Sequence, residues 1–194
     1  MSKDCLKRNY EIKEACLKVP YSKYRVQTLK KFINRSKPSI DLGSGGFMPK
    51  ILNVTHACDN GKNALKYLKK EDWKGEFKIV DISKKLPYKD KQFKKAVCSE
   101  VIEHLRTKEA VTNSIREIDR ISDKWLITTP AVYFSEPDHS FFFTPNLLFE
   151  LMPWPFEEHK KRYIIFSKLN YYYITNDIER VGRLLEIKWR TQQE

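Results

Sequence analysis

Ser39-Ile40-Asp41-Leu42-Gly43-Ser44-Gly45-Gly46 is the stretch from which the fold is read. An apolar strand runs into a turn with glycine at 43, 45 and 46. Glycine reaches conformations closed to other residues and lets backbone approach a ligand where a side chain would stand in the way. A glycine-rich turn is weak evidence alone, so its surroundings decide. Downstream, a strand at 54–58 runs into Asp59 and a strand at 77–80 into Asp81. Sixty residues beyond Ser39, a strand at 95–98 leads into Ser99-Glu100-Val101-Ile102-Glu103-His104-Leu105.

The rest of the chain alternates in the same way. Helical spacing covers 3–18, and Pro20 interrupts it. Helices are expected at 24–33, 48–52, 62–70, 108–121 and 146–152, and a further strand at 125–128. The β-formers at 162–166, 171–175 and 184–189 read as closing strands with an antiparallel edge. Strands alternating with helices predict an α/β fold: a doubly wound, mostly parallel sheet with helices on both faces. Ligands then bind beyond the carboxyl ends of the strands. The expected organisation is one unit over 1–194, with a basic helical segment at 1–37, a cofactor-binding core at 38–152 and closing strands at 153–194.

Hydrophobic residues make up 41% of the chain, enough to exclude a disordered polypeptide. No apolar run nears the roughly 18 residues of a membrane span, and the first residues lack the apolar core of a signal peptide. Cys5, Cys16, Cys58 and Cys98 are scattered, against a zinc site or disulfide framework and in keeping with a reducing cytoplasm. The net charge of +12 is uneven: residues 1–37 carry eleven Lys/Arg against three Asp/Glu. That excess suits an anionic partner, including nucleic acid, and suits equally a solvated lysine-rich surface.

Acids at three strand ends define a chemistry. Asp59, eighteen residues after Asp41, is placed to accept from both hydroxyls of a ribose. Asp81 beside Ile82 suits an adenine edge, the amino group bonded and the ring packed. Singly, each Asp is a cap or turn residue; together they indicate a nucleoside-type cofactor.

These pieces, with Leu86-Pro87-Tyr88-Lys89-Asp90-Lys91-Gln92-Phe93, resemble the class I S-adenosylmethionine-dependent methyltransferases over 37–152. The resemblance, closest to a branch carrying Glu-x-x-Glu-His, implies a seven-stranded, Rossmann-like sheet and S-adenosyl-L-methionine as cofactor. It assigns Asp41, Gly43, Ser44 and Gly45 to the methionine end, Asp59 to ribose, Asp81 and Ile82 to adenine, and Ser99 to the same cleft. Three positions depart from the family pattern. Phe47 replaces a glycine and is expected to crowd the methionine pocket. Lys94 replaces the acid after Phe93, and Ser122-Asp123-Lys124 replaces a Gly-Gly turn.

Glu100, Glu103 and His104 stand at i, i+3 and i+4, one side of a helix if a helix begins there. The segment after strand five brings His139 to the same edge. Two carboxylates and two imidazoles suit a divalent ion such as Mg²⁺ or Mn²⁺. The set is similar to that of small-RNA 3′-terminal 2′-O-methyltransferases, in which it holds a metal; ubiquinone-pathway O-methyltransferases share Glu-x-x-Glu-His. The alternative is that the glutamates favour a helix start while His104 or His139 acts as a general base without metal. The resemblance thus implies O-methylation of a small-molecule or sugar hydroxyl. A metal-assisted RNA 2′-O-methyltransferase and an inactive cofactor-binding protein stand beside it. No Asp-Pro-Pro-Tyr signature of amine methylation occurs. Tyr133, Phe134, Phe141, Phe142 and Phe143 are expected to form a lid or core wall.

Overall fold

The computed structural model describes residues 18–131, 139–154 and 163–186. In chain order these form α1 (Pro20–Ile33), β1 (Ser39–Leu42), α2 (Met48–Leu52), β2 (His56–Asp59), α3 (Lys62–Lys70), β3 (Glu76–Ile79), β4 (Phe93–Ser99), a 3-10 turn (Ile102–His104), α4 (Lys108–Ile121), β5 (Ser122–Pro130), α5 (Pro145–Glu150), β6 (Ile164–Lys168), β7 (Tyr171–Thr175) and α6 (Ile178–Leu184).

Seven strands make one sheet in the order β3-β2-β1-β4-β5-β7-β6. The first five are parallel, and β7 runs antiparallel to both β5 and β6. This is the expected Rossmann-like α/β sheet, its antiparallel strands at one edge. The chain crosses between β1 and β4, so their carboxyl ends open the switch-point crevice where such sheets take ligands. Alternation along the strands supplies two cores. Ala96 and Cys98 of β4, with Trp125 and Ile127 of β5, pack with Val111, Ile115 and Ile118 of α4. Val97 and Leu126 point the other way, to Leu29, Phe32 and Ile33 of α1 and Val181 of α6. Asp41, between Ile40 and Leu42, therefore faces the α1 side.

Several expected boundaries shift for physical reasons. Pro20 interrupts the helical pattern as expected: Lys18 is helical, Val19 is not, and Pro20 sits in the first turn of α1, where its missing N–H costs nothing, so the helix expected from 24 begins earlier. The helix expected at 3–18 lies outside the described residues except for Lys18. The strand at 54–58 forms at His56–Asp59, because Thr55 instead bonds Ser39 through its hydroxyl. The strand at 77–80 forms one residue earlier, at Glu76–Ile79, and β4 and β5 outrun their expected lengths. The third closing strand, expected from 184, is not one over its described part: α6 ends at Leu184. Val181 and Leu185, four apart, bury one helical stripe with α1, and that periodicity outweighs β-propensity.

Two departures from the family pattern compensate each other. The Lys94 ammonium donates to Asp123 at 3.0 Å. The turn before β5 is absent because α4 ends at Ile121 and β5 begins at the next residue. Among the described residues, no helix is long and apolar enough to cross a membrane.

Candidate active site

The glycine turn is built around β2. The amides of Gly43 and Ser44 both donate to the Cys58 carbonyl, at 2.9 and 3.1 Å. Gly43 has φ 70°, and a Cβ there would lie 2.4 Å from Val101 Cγ2, so glycine lets β1 and the segment after β4 close on each other. Gly46 has φ 89° against Tyr67 and Ala64, a close approach met one residue before Phe47. Phe47 precedes α2 and is not in the cleft wall, so the expected crowding of the pocket there is not seen.

A cleft opens at the carboxyl edge, lined by Gly43, Asp59, Asn60, Val80, Asp81, Ile82, Glu100, Val101, His104 and Leu105. Of the sequence-derived cofactor residues, Gly43, Asp59, Asp81 and Ile82 form its wall; Asp41, Ser44, Gly45 and Ser99 lie behind or beside it. Asp59 is buried and braces the wall. Its Oδ2 accepts the Gly45 amide at 3.1 Å and its Oδ1 the Gly61 amide at 2.9 Å. Burial lifts its pKa, and those two amides oppose the rise. Asp81 is exposed, and Ser83 donates to its Oδ1 from both amide and hydroxyl. Asp41 Oδ2 and Ser44 Oγ are buried without a hydrogen-bond partner among the described residues. Burial and then neighbouring Asp59 push the Asp41 carboxyl well above its ordinary range, with Arg25 pulling it back. Orphaned acceptors beside a glycine cradle fit a cationic, hydrogen-bonding group such as an amino-acid end, so the residues present suit S-adenosylmethionine.

The expected Glu/His group divides. Glu100 leaves β4 at φ 57°, its amide bonded to the Thr128 carbonyl at 3.0 Å. The helical turn begins only at Ile102 and is a single 3-10 turn. Glu100 is therefore outside it, and the i, i+3 spacing with Glu103 no longer implies a shared direction. Its Oε1 stands 4.0 Å from Arg25, a residue the sequence reading missed. Arg25 also donates to Ser99 Oγ and lies over the Tyr171 ring, 5.0 Å from its centroid. Burial works against the Arg25 charge, and Glu100 foremost among the surrounding acids overcomes it. The missed signal was positional: Arg25, Leu29, Phe32 and Ile33 fall on one helical stripe, and a charge on an apolar stripe needs a buried partner.

Glu103 is 1% exposed. Thr129 Oγ1 donates to its Oε2 at 3.1 Å, while Oε1 is buried with no hydrogen-bond partner among the described residues. Burial, then Glu100, drives this carboxyl well above the usual glutamate range. Burial likewise raises Glu100, with Arg25 opposing. The Glu103 carbonyl accepts the amides of Ser140 and Phe141, at 2.8 and 3.1 Å, which seats His139 beside His104 with ring centroids 4.8 Å apart. Donor atoms of Glu103, His104 and His139 lie within 4.8 Å of one another. Two imidazoles and an orphaned buried carboxylate oxygen fit a divalent ion; the structure brings together three of the four expected ligands, and Glu100 is apart. Of the aromatic group, Phe141 and Phe143 stack at 5.6 Å, Phe143 is in the core and Phe142 is exposed. Tyr133 and Phe134 lie outside the described residues.

Residues 40–124 match the methyltransferase domain family Methyltransf_11. No curated protein matches the chain. Among solved structures, the chain is similar to the PH0226 protein of Pyrococcus horikoshii OT3, with 15% identity and a TM-score of 0.59 over 82% of this chain and 92% of that one. It is similar to magnesium protoporphyrin IX methyltransferase of Synechocystis PCC 6803, solved with bound S-adenosylmethionine, with 12% identity and a TM-score of 0.54 over 79% of each chain. It is also similar to the small RNA methyltransferase HEN1, with 16% identity and a TM-score of 0.59 over 81% of this chain and 25% of that one. Identities this low show the shared fold, while the domain match lies on the strands and acids that build the cleft. The chain thus carries a methyltransferase domain match over residues 40–124, on the Rossmann-like sheet described above.

Proposed function

We propose that this methyltransferase acts on a hydroxyl oxygen of a small-molecule or sugar acceptor. The observation that carries this reading is His104 in the wall of the cofactor cleft, its ring 4.8 Å from that of His139. When bound, S-adenosylmethionine supplies an electrophilic methyl group on a sulfonium. Gly43, Asp59, Asp81 and Ile82 hold it along the wall, Asp59 toward ribose and Asp81 with Ile82 toward adenine. Asp41 and Ser44 support the amino-acid end from behind the glycine turn. The chain's own chemical task is then to take the acceptor's proton, and an imidazole nitrogen of His104 or His139 does so while Glu103 orients the pair. Alignment of acceptor and donor provides most of the acceleration. Val80, Val101 and Leu105 give the cleft a partly apolar wall. Cys58 and Cys98 are free, buried thiols, in keeping with a reducing, cytoplasmic setting.

A second reading, metal-assisted methylation of an RNA terminal ribose, is favoured by the donor set Glu103, His104 and His139. A divalent ion there would lower the pKa of a coordinated hydroxyl. The similarity to a small RNA methyltransferase and the basic residues 1–37 lend it support.

One assay separates these readings. The full chain is incubated with methyl-labelled S-adenosylmethionine and three acceptor sets: small phenols, catechols and sugars; their amine analogues; and short RNA ending in either a free 2′,3′-diol or a 3′-phosphate. Label on the small hydroxyl compounds supports the first reading, and label on diol-ended RNA alone supports the second. Label on amines refutes both. Cofactor binding in a titration with no label on any acceptor set leaves the inactive cofactor-binding alternative.

A further inference from the structure

Building on the metal-assisted reading, we propose that the ion site of this chain is a three-residue set, Glu103, His104 and His139, from which Arg25 holds Glu100 away. Sequence spacing alone makes Glu100 a fourth ligand; the backbone does not. Glu100 turns out of β4 in the left-handed region, before the 3-10 turn that carries Glu103 and His104. Its carboxylate is then fixed on the side of α1. Arg25 faces it at 4.0 Å and is itself held by the Ser99 hydroxyl and the Tyr171 ring. A guanidinium restrained on several sides does not follow a carboxylate that swings away. Glu100 and His104 both line the cofactor cleft, whereas Glu103 and His139 do not. Glu100 thus belongs with Gly43 and Asp59 on the cofactor side, and His104 marks the boundary.

Glu103 is placed differently. Thr129 occupies one oxygen, and the other is buried with no hydrogen-bond partner among the described residues. Its own carbonyl docks the Ser140 and Phe141 amides, so the residue that offers the carboxylate also positions the second imidazole. Two imidazoles with one carboxylate favour Mn²⁺, Fe²⁺, Co²⁺ or Zn²⁺ over Mg²⁺, which prefers an all-oxygen shell. The remaining positions on the ion are left to water or acceptor oxygens.

The test is a Co²⁺ titration of the full chain followed by visible absorption, with circular dichroism to verify folding. Glu100→Gln is expected to keep the wild-type spectrum and an affinity within about twofold, while Glu103→Gln loses about tenfold or more, the loss typical when a ligand or its support is removed. Arg25→Met is expected to change the spectrum and tighten binding, and the double variant Arg25→Met/Glu100→Gln to cancel that change. A loss of about tenfold with Glu100→Gln, accompanied by an altered spectrum, overturns the three-residue set. An Arg25→Met spectrum identical to wild type overturns the role of Arg25. If Arg25→Met does not fold, the two glutamate variants still decide the ligand set. Wild-type protein that binds no Co²⁺ defeats the metal reading itself, an outcome distinct from Co²⁺ binding that depends on Glu100.

Discussion

Replacing Asp59 by asparagine tests the cleft at its most heavily used side chain. The carboxylate accepts the Gly45 amide through Oδ2 and the Gly61 amide through Oδ1, at 3.1 and 2.9 Å. Asparagine keeps the shape but offers one acceptor oxygen and an NH₂ group. One of the two backbone amides then faces another donor, so one charge-assisted bond is lost, about 1.5–3 kcal/mol. The free protein should lose stability of that order in chemical denaturation. The cofactor loses separately: a carboxylate can accept from both ribose hydroxyls, whereas the single amide oxygen of the Asp59→Asn variant is already claimed by one loop. Binding of S-adenosylhomocysteine by calorimetry should weaken by a similar amount, about 1.5–3 kcal/mol, roughly tenfold to a hundredfold. Stability lowered with affinity unchanged would leave Asp59 as a brace alone and refute its contact with ribose. Both quantities unchanged would refute the hydrogen-bonding geometry of the wall.

Three further outcomes are expected. Gly43→Ala places a Cβ at φ 70° and 2.4 Å from Val101 Cγ2; the left-handed backbone costs about 1–2 kcal/mol and the overpacking about 1–3 kcal/mol. Adding Val101→Ala should recover the packing share only, and full recovery in denaturation midpoints would deny the backbone strain. Because burial raises the Glu103 pKa in the folded state, the native protein binds more protons than the unfolded chain above the unfolded glutamate pKa of about 4.3. Stability therefore falls as pH rises from there through the folded value; Glu103→Gln should flatten that fall, and an unchanged slope between acid and mildly alkaline denaturation curves counts against the buried charge. If about four of the basic residues in 1–37 meet RNA phosphates, log K should fall with log salt at a slope of about −3. A flat response in a binding isotherm at two salt concentrations favours the small acceptor.

The amino-acid pattern alone carried the fold and four residues of the cleft wall. Ser39–Leu42 with its glycines, and acids following two further strands, are local features: a strand of period two and a turn needing positive φ are written within a few adjacent residues. Gly43, Asp59, Asp81 and Ile82 were legible for that reason. The helix expected from 24 starts at Pro20, because a proline that breaks one helix fits the first turn of the next. The β-formers near 184 misled because propensity yields to the stripe that Val181 and Leu185 bury against α1.

What only the tertiary structure decided is the partition of the Glu/His group. Glu100 and Glu103 look equivalent at i, i+3, and whether a helix begins at Glu100 depends on the hydrogen bond its amide makes to Thr128, 28 residues away. Arg25 lies 75 residues before Glu100 in the chain and meets it only because α1 packs across β4. The Ser140 and Phe141 amides bring His139 to His104 by bonding a carbonyl on another segment. Periodicity records which face of its own element a residue occupies; which foreign side chain it meets there is set by long-range packing, and the chemistry of this site depends on the second.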